Sequence, residues 1–182
     1  MSDLTEKTQL SNEIYKGRII DVYCDDIILP DGKPAKREYI KHIGAVCVVP
    51  VTDNGEVLIV KQYRYPFHAV LTEIPAGKLD SRSEEPLDAV RRELKEETGA
   101  AAREMIYLGE YYPTCAYSDE VIYMYLAKGL DFGETDFDDD EFIETERVPF
   151  SKLIDDVLAG KIRDGKTQTA LLKAWMLLNN KK

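Results

Sequence analysis

The stretch from Ser83 to Gly99 constrains the fold more than any other part of the chain. Leu87, Val90 and Leu94 recur at spacings of three and four, Pro86 stands in the first turn, and Gly99 lies just past the end. This is the period of a helix with one apolar face, opened by a residue that lacks an orphan N–H and closed by one that accepts positive φ. The pattern predicts a helix over 83–98. Glu93, Glu96 and Glu97 fall at i, i+3 and i+4, so three carboxylates leave one face close together. Unpaired, they repel one another, and Arg92, four residues before Glu96, relieves part of that repulsion. Hard oxygen donors at this spacing suit magnesium or manganese. The plainer reading is a solvated acidic face, and the flanking sequence decides between the two.

Strand-like runs surround the helix: Arg18–Tyr23, Asp26–Leu29, Arg37–His42, Ala45–Val51 and Glu56–Tyr63 before it, and Tyr107–Tyr112 and Val121–Ala127 after it. Pro30, Asp31 and Gly32 form a turn signal between two of them, because Pro presets φ and Gly accepts positive φ. Two further helices are expected over Ser151–Ala159 and Thr167–Leu178. Strands, helix, strands, helices in that order predict a mixed α/β or α+β sandwich.

Charge narrows the function. The 182 residues hold 34 acids against 24 bases, a net charge of −10, and nine of the carboxylates crowd into 131–146 with no base among them. Such a surface repels a nucleic-acid backbone, and no basic patch with interleaved aromatics offsets it. The acidic run reads either as a solvated loop or as a loop that works beside a cation. No apolar run approaches the ~20 residues that cross a bilayer, so no membrane partner is expected. The polar, acidic start MSDLTEKTQLSNE leads to the expectation of a cytoplasmic protein. Cys24, Cys47 and Cys115 are scattered and form no CxxC, which disfavours a disulfide framework or a structural zinc site. His42 and His68 are the only histidines and adjoin no nucleophile signature, so a Ser or Cys triad is not expected.

Upstream of the helix stands Glu73-Ile74-Pro75-Ala76-Gly77-Lys78-Leu79, read as a tight turn in which Gly77 lets backbone approach the helix and Ala76 offers a carbonyl. With it, Gly77, Glu84 and Arg92-Glu93-Leu94-Lys95-Glu96-Glu97-Thr98-Gly99-Ala100 resemble the Nudix box of the nucleoside diphosphate-X hydrolases. The family's pattern allows five residues between the glycine and the first glutamate. Here there are six, Lys78–Ser83, and a bulged turn that preserves the helical offsets is expected. Similarity to the ADP-ribose pyrophosphatase branch extends through Arg37-Glu38, Val60-Lys61-Gln62-Tyr63-Arg64, Glu73 to Gly77, and Ser118-Asp119-Glu120, and covers most of 13–178. Where that branch usually has a proline, sixteen residues beyond the last glycine of the box, this chain has Cys115.

The resemblance implies an α/β (α+β) Nudix-type α/β/α sandwich with a mixed sheet in residues 43–182, preceded by a small N-terminal β arm in residues 1–42 that exchanges between the subunits of a homodimer. It implies metal-dependent hydrolysis of the phosphoanhydride of ADP-ribose, or a related ADP-sugar, to AMP and a sugar phosphate. Glu93 and Glu97 would be the main metal ligands, Glu96 would share or bridge, and the Ala76 carbonyl would complete the set. Mg2+ is the expected ion, with Mn2+ as the alternative. Arg92 would orient the carboxylates and Arg64 would meet the diphosphate. Arg37 and Glu38 would reach the nucleoside across the subunit interface, and Glu120 is assigned to substrate. The catalytic set is Glu141, Glu96 and Arg92, with Glu141 as general base and Glu144 as the fallback in the same acidic run. Two other readings stay open: hydrolysis of another nucleoside diphosphate sugar or of a nucleoside triphosphate, and a non-catalytic module that senses nucleotides.

Overall fold

The computed structural model describes residues 3–133 and 142–179, which divide into two units. One holds the chain up to Ile43 together with Tyr112–Val121, and the other holds Gly44–Tyr111 and the chain from Ile122 onward. The segment 112–121, expected within the larger domain, therefore groups with the arm. Among the described residues, no helix is long and apolar enough to cross a membrane.

The first unit is built on β1 (Lys7–Leu10), β2 (Glu13–Lys16), β3 (Asp21–Ile28) and β4 (Pro34–Lys41). β3 and β4 form an antiparallel hairpin from Asp21↔Lys41 to Ile28↔Pro34, and the predicted Pro30-Asp31-Gly32 turn joins them. Gly32 sits at φ 86°, a value that side chains rarely tolerate. β1 and β2 pair in succession with the other edge of β3. Both were missed in the sequence, and the expected strand over 18–23 begins only at Asp21, because Gly17 turns the chain by donating to the Ile20 carbonyl at 3.0 Å. The two short strands expected on either side of Cys24 and Asp25 are one, since the buried Asp25 carboxylate finds partners in Ser11 Oγ at 2.7 Å and the Tyr39 hydroxyl at 3.1 Å. Segment 112–121 lies along β4, with Ile40 donating to the Tyr117 carbonyl at 2.9 Å and Asp119 donating to the Ile40 carbonyl at 3.1 Å.

In the second unit, β5 (Ala45–Pro50) sets the layering. Its side chains alternate between two apolar layers, as a strand buried on both faces must. Val46 and Val48 pack with Ala89, Val90 and Leu94 of α1 (Pro86–Thr98), whereas Ala45, Cys47 and Val49 join the layer formed by α2 (Phe150–Leu158) and α3 (Gly165–Asn179). Between the helices lie two sheets. One, in the order β8-β5-β10-β9, consists of β8 (Ala76–Lys78), β5, β10 (Ile122–Phe132) and β9 (Ala100–Tyr111). It is mixed, because β10 runs parallel to β5 and antiparallel to β9. The other, in the order β11-β6-β7, consists of β11 (Ile143–Pro149), β6 (Glu56–Arg64) and β7 (Ala69–Glu73). Helices on both faces make the α/β/α sandwich that was expected.

Leu94 is fully buried under α1, and removing such a side chain from water is worth about 1.5–3 kcal/mol. Gly99 ends α1 as predicted: its φ is 67° and its N–H reaches the Lys95 carbonyl. The helix starts at Pro86 rather than Ser83. Residues 80–84 form a turn instead, in which the Asp80 N–H bonds Glu84 Oε2 at 2.5 Å and the Glu84 N–H bonds the Ser81 carbonyl at 3.2 Å. The extra loop residue is absorbed there.

Candidate active site

The face of α1 that carries the three glutamates meets an edge strand where the sequence suggested a tight turn. β8 pairs antiparallel with β5, from Ala45↔Lys78 to Cys47↔Ala76. This places the backbone of Ala76 and Gly77 beneath the helix. A Cβ on Gly77 would collide with the Glu93 carboxylate, so only glycine permits the approach. Glu97, 4% exposed, accepts the Ala76 N–H through Oε2 at 3.1 Å. Its own carbonyl accepts the Thr145 hydroxyl at 3.0 Å, which fastens the end of α1 to β11. Two of the three carboxylates thus converge on residues 76–77. Glu96 is more open and faces Arg92 at 3.4 Å.

Arg92 spreads its guanidinium over the group, donating to Glu93 Oε1 at 2.8 Å, to Glu84 Oε1 at 3.4 Å and to the Lys78 carbonyl at 3.3 Å. Burial works against its charge, but Glu93, Asp80 and Glu84 hold it above its ordinary value. It acts as a brace that lowers the mutual repulsion of the carboxylates. Among the described residues, no three His, Cys, Asp or Glu side chains close into a complete metal cage. The donor chemistry nevertheless fits a hard divalent cation, since carboxylates and a backbone segment bared by glycine meet at one place.

Beside this cluster lies a second group of charges that sequence reasoning did not assemble. Arg64, at the end of β6, grips Glu73 with a fork of two bonds, Nε to Oε1 and Nη2 to Oε2, each 2.7 Å. Glu73 is 1% exposed and also accepts Lys166. Lys166 in turn lies 3.1 Å from Asp164. Burial pushes the Glu73 carboxyl up, yet Arg64 and Lys166 together hold it below its usual range. Burial likewise pushes the Lys166 ammonium down, yet Asp164 and Glu73 hold it above its usual value. Arg64 was expected to face the diphosphate. Its pair with Glu73 uses two of five N–H donors, and the Glu97 carboxylate adds to the charge that stabilises it. A signal for the group existed in Asp164-Gly165-Lys166-Thr167, where an Asp three residues ahead of Thr167 has N-cap spacing, and Asp164 Oδ2 indeed accepts the Thr167 N–H at 2.9 Å.

The remaining candidates fall elsewhere. Arg37 and Glu38 lie on β4 in the first unit, where Arg37 Nε bonds Glu6 Oε2 at 2.9 Å. Glu120, also in that unit, has its carboxylate 3.8 Å from His42 Nδ1. Glu141 lies outside the described residues. Glu144 is on β11, opposite Lys61 of β6, and was expected only as part of a loop. Alternation along the strand puts it on the face of Glu146, whose carboxylate pairs with Lys61 Nζ at 2.6 Å, and opposite to Thr145, which points to α1.

Comparison with known proteins adds an independent line. The NUDIX domain family matches residues 41–170, and the nucleoside diphosphate sugar hydrolase N-terminal domain matches residues 6–40. An ADP-ribose pyrophosphatase of Bacillus subtilis (strain 168) is 40% identical over 173 residues, which span 94% of this chain and 93% of that protein. A methanol dehydrogenase activator of Bacillus methanolicus is 36% identical over 168 residues, spanning 91% of this chain and 90% of that one. Among solved structures, an ADP compounds hydrolase superposes with a TM-score of 0.84 over the whole of both chains at 19% identity, a likeness of fold.

Proposed function

We propose, since this chain belongs to the NUDIX domain family, that it hydrolyses the phosphoanhydride of ADP-ribose or a closely related ADP-sugar to AMP and a sugar phosphate. The observation that carries this reading is the junction of α1 with β8. There Glu97 is bonded to the Ala76 N–H and Glu93 lies over Gly77, so two of the three box glutamates are organised around backbone rather than dispersed into solvent. Glu93, Glu96, Glu97 and the Ala76 carbonyl would hold a divalent ion, magnesium first and manganese second. When bound, such an ion neutralises phosphate charge and lowers the pKa of a water.

The chain's own residues supply the rest. Arg92 keeps the glutamates together by bonding Glu93 and Glu96 from one side. Arg64, with donors beyond the two that Glu73 takes, meets the diphosphate and holds it in line for attack. Glu141 takes the proton of the attacking water, because the box glutamates are committed elsewhere. ADP-ribose ranks first because the relative with 40% identity carries that name and the N-terminal family match is to nucleoside diphosphate sugar hydrolases.

A substrate panel with product identification, run with each metal, tests the reading. ADP-ribose is expected to give AMP and ribose 5-phosphate. GTP or dATP turned over with kcat/KM a hundredfold above ADP-ribose would assign the chain to triphosphates instead.

A further part of the proposal is a cytoplasmic homodimer in which Arg37 and Glu38 reach the partner's nucleoside. Arg37→Ala is then expected to raise KM and leave metal binding intact, because its guanidinium would contact base or ribose and no metal ligand. A fully active protein that sediments as a single chain at micromolar concentration would remove the basis for that role.

A further inference from the structure

Lys166 is a largely enclosed charge for which the mechanism above has no use. It stands in the first turn of α3 with a side chain only 11% exposed, and an ammonium so enclosed is costly unless anions surround it. Two do: the Glu73 carboxylate, and Asp164 Oδ2 at 3.1 Å. The same Asp164 oxygen accepts the Thr167 N–H, and Thr167 Oγ1 accepts the Ile74 N–H at 3.0 Å. One turn of helix therefore holds two consecutive residues of the segment leading to the site. Glu73 is held through its side chain and Ile74 through its backbone. Two residues further on is Ala76, whose N–H bonds Glu97.

Glu73 Oε2 receives both Arg64 Nη2 and Lys166, while Oε1 receives Arg64 Nε. Held by Arg64 alone, the carboxylate and the guanidinium could swing together as one flat pair. A second cation, anchored on a different element, removes that freedom. With its ammonium facing two carboxylates, Lys166 can act on a ligand through what it holds.

We propose that Lys166 is a positioning residue: by fixing the Glu73 carboxylate against α3, it sets the plane in which Arg64 presents its remaining donors to the two phosphates of the substrate. This role rests on the hydrolase reading given above and extends it to a residue from the far end of the chain.

The test compares wild type with Lys166→Met, which keeps the length and apolar stem of the side chain. Binding is measured by calorimetry with the non-hydrolysable α,β-methylene analogue of ADP-ribose and with AMP, alongside steady-state kinetics and thermal melting. Partners that orient metal ligands typically contribute about 10–100-fold, and an effect at the low end of that range is expected for one that orients a phosphate-binding guanidinium. The variant is expected to lose about tenfold in affinity for the diphosphate analogue, with a matching rise in KM and kcat within about threefold. AMP, which lacks the second phosphate, should bind nearly as in wild type. Should the Met variant not fold, Lys166→Gln, which keeps N–H donors and loses the charge, carries the same comparison. A fall in melting temperature with both affinities unchanged would overturn the role, as would equal losses for the analogue and for AMP. If wild type neither binds the analogue nor hydrolyses any nucleoside diphosphate sugar, the hydrolase reading itself fails, and the role of Lys166 falls with it.

Discussion

Glu97→Gln is expected to lower kcat by at least about 10²-fold, close to 2.7 kcal/mol of transition-state stabilisation, while the protein stays folded. The two halves of this expectation have different causes. Glu97 accepts the Ala76 N–H through one carboxylate oxygen, and its backbone carbonyl accepts Thr145. A glutamine keeps an oxygen for the first bond and leaves the second untouched, so the contacts that join α1 to β8 and β11 survive. What disappears is one negative charge at a site that is 4% exposed, where solvent cannot replace it. A divalent ion held by fewer charges binds more weakly and neutralises less of the charge that develops on phosphate. Glu96→Gln should cost less, because Glu96 is more open and already shares Arg92. Activity assays across a metal titration decide the matter: a Glu97→Gln enzyme that retained more than half of wild-type turnover at saturating metal would show that α1 does not hold the ion.

How much of this was legible beforehand depended on whether a segment owes its shape to itself or to a distant partner. α1 could be read because its apolar period, its Pro86 and its Gly99 are all local, and only its first turn was set one turn too early. β1 and β2 were invisible because every residue in them is exposed, so KTQL and EIYK show no alternation and owe their order to pairing with β3. β11 was hidden differently. Its IETERVP sits in an acid-rich run that reads as a solvated loop, and it becomes a strand through a seven-residue register with β6, from Ile143↔Gln62 to Pro149↔Glu56. β8 looked like a turn because Pro75, Ala76 and Gly77 carry turn composition, yet three residues pair with β5.

The candidate site divides in the same way. Arg92, Glu93, Glu96 and Glu97 lie within six positions on one helix, so their proximity follows from helical geometry. Arg64 was singled out, but its embrace by Glu73 was not, and Lys166 was not noticed at all. Lys166 meets Glu73 across a sequence separation of 93 residues, and nothing in either segment advertises the other. A buried ion group of this kind becomes visible only when β6, Ile74 just after β7, and α3 are packed into one core.

Glu141→Gln is expected to lower kcat by about 10²–10⁴-fold while KM stays within a few fold, the usual range for a positioned acid or base. The base is proposed to come from outside the box, because Glu97 is tied to Ala76, Glu93 lies against Gly77, and Arg92 bonds both Glu93 and Glu96. A carboxylate that serves a cation is a weak acceptor for a water's proton, and a second, uncommitted one is needed. The acidic run supplies candidates, and β11 sorts one of them. Glu144 shares a strand face with Glu146 and Lys61, opposite to the face through which Thr145 reaches the end of α1. Glu144→Gln should therefore change kcat little, although it stood as the fallback by sequence. Asp138→Asn and Asp139→Asn should likewise do far less than Glu141→Gln. Single-turnover rates separate the possibilities, because they isolate the chemical step from release. A large loss in Glu144→Gln with none in Glu141→Gln would mean that β11 turns its other face to the water. Loss in neither would return the role of base to Glu96 or Glu120.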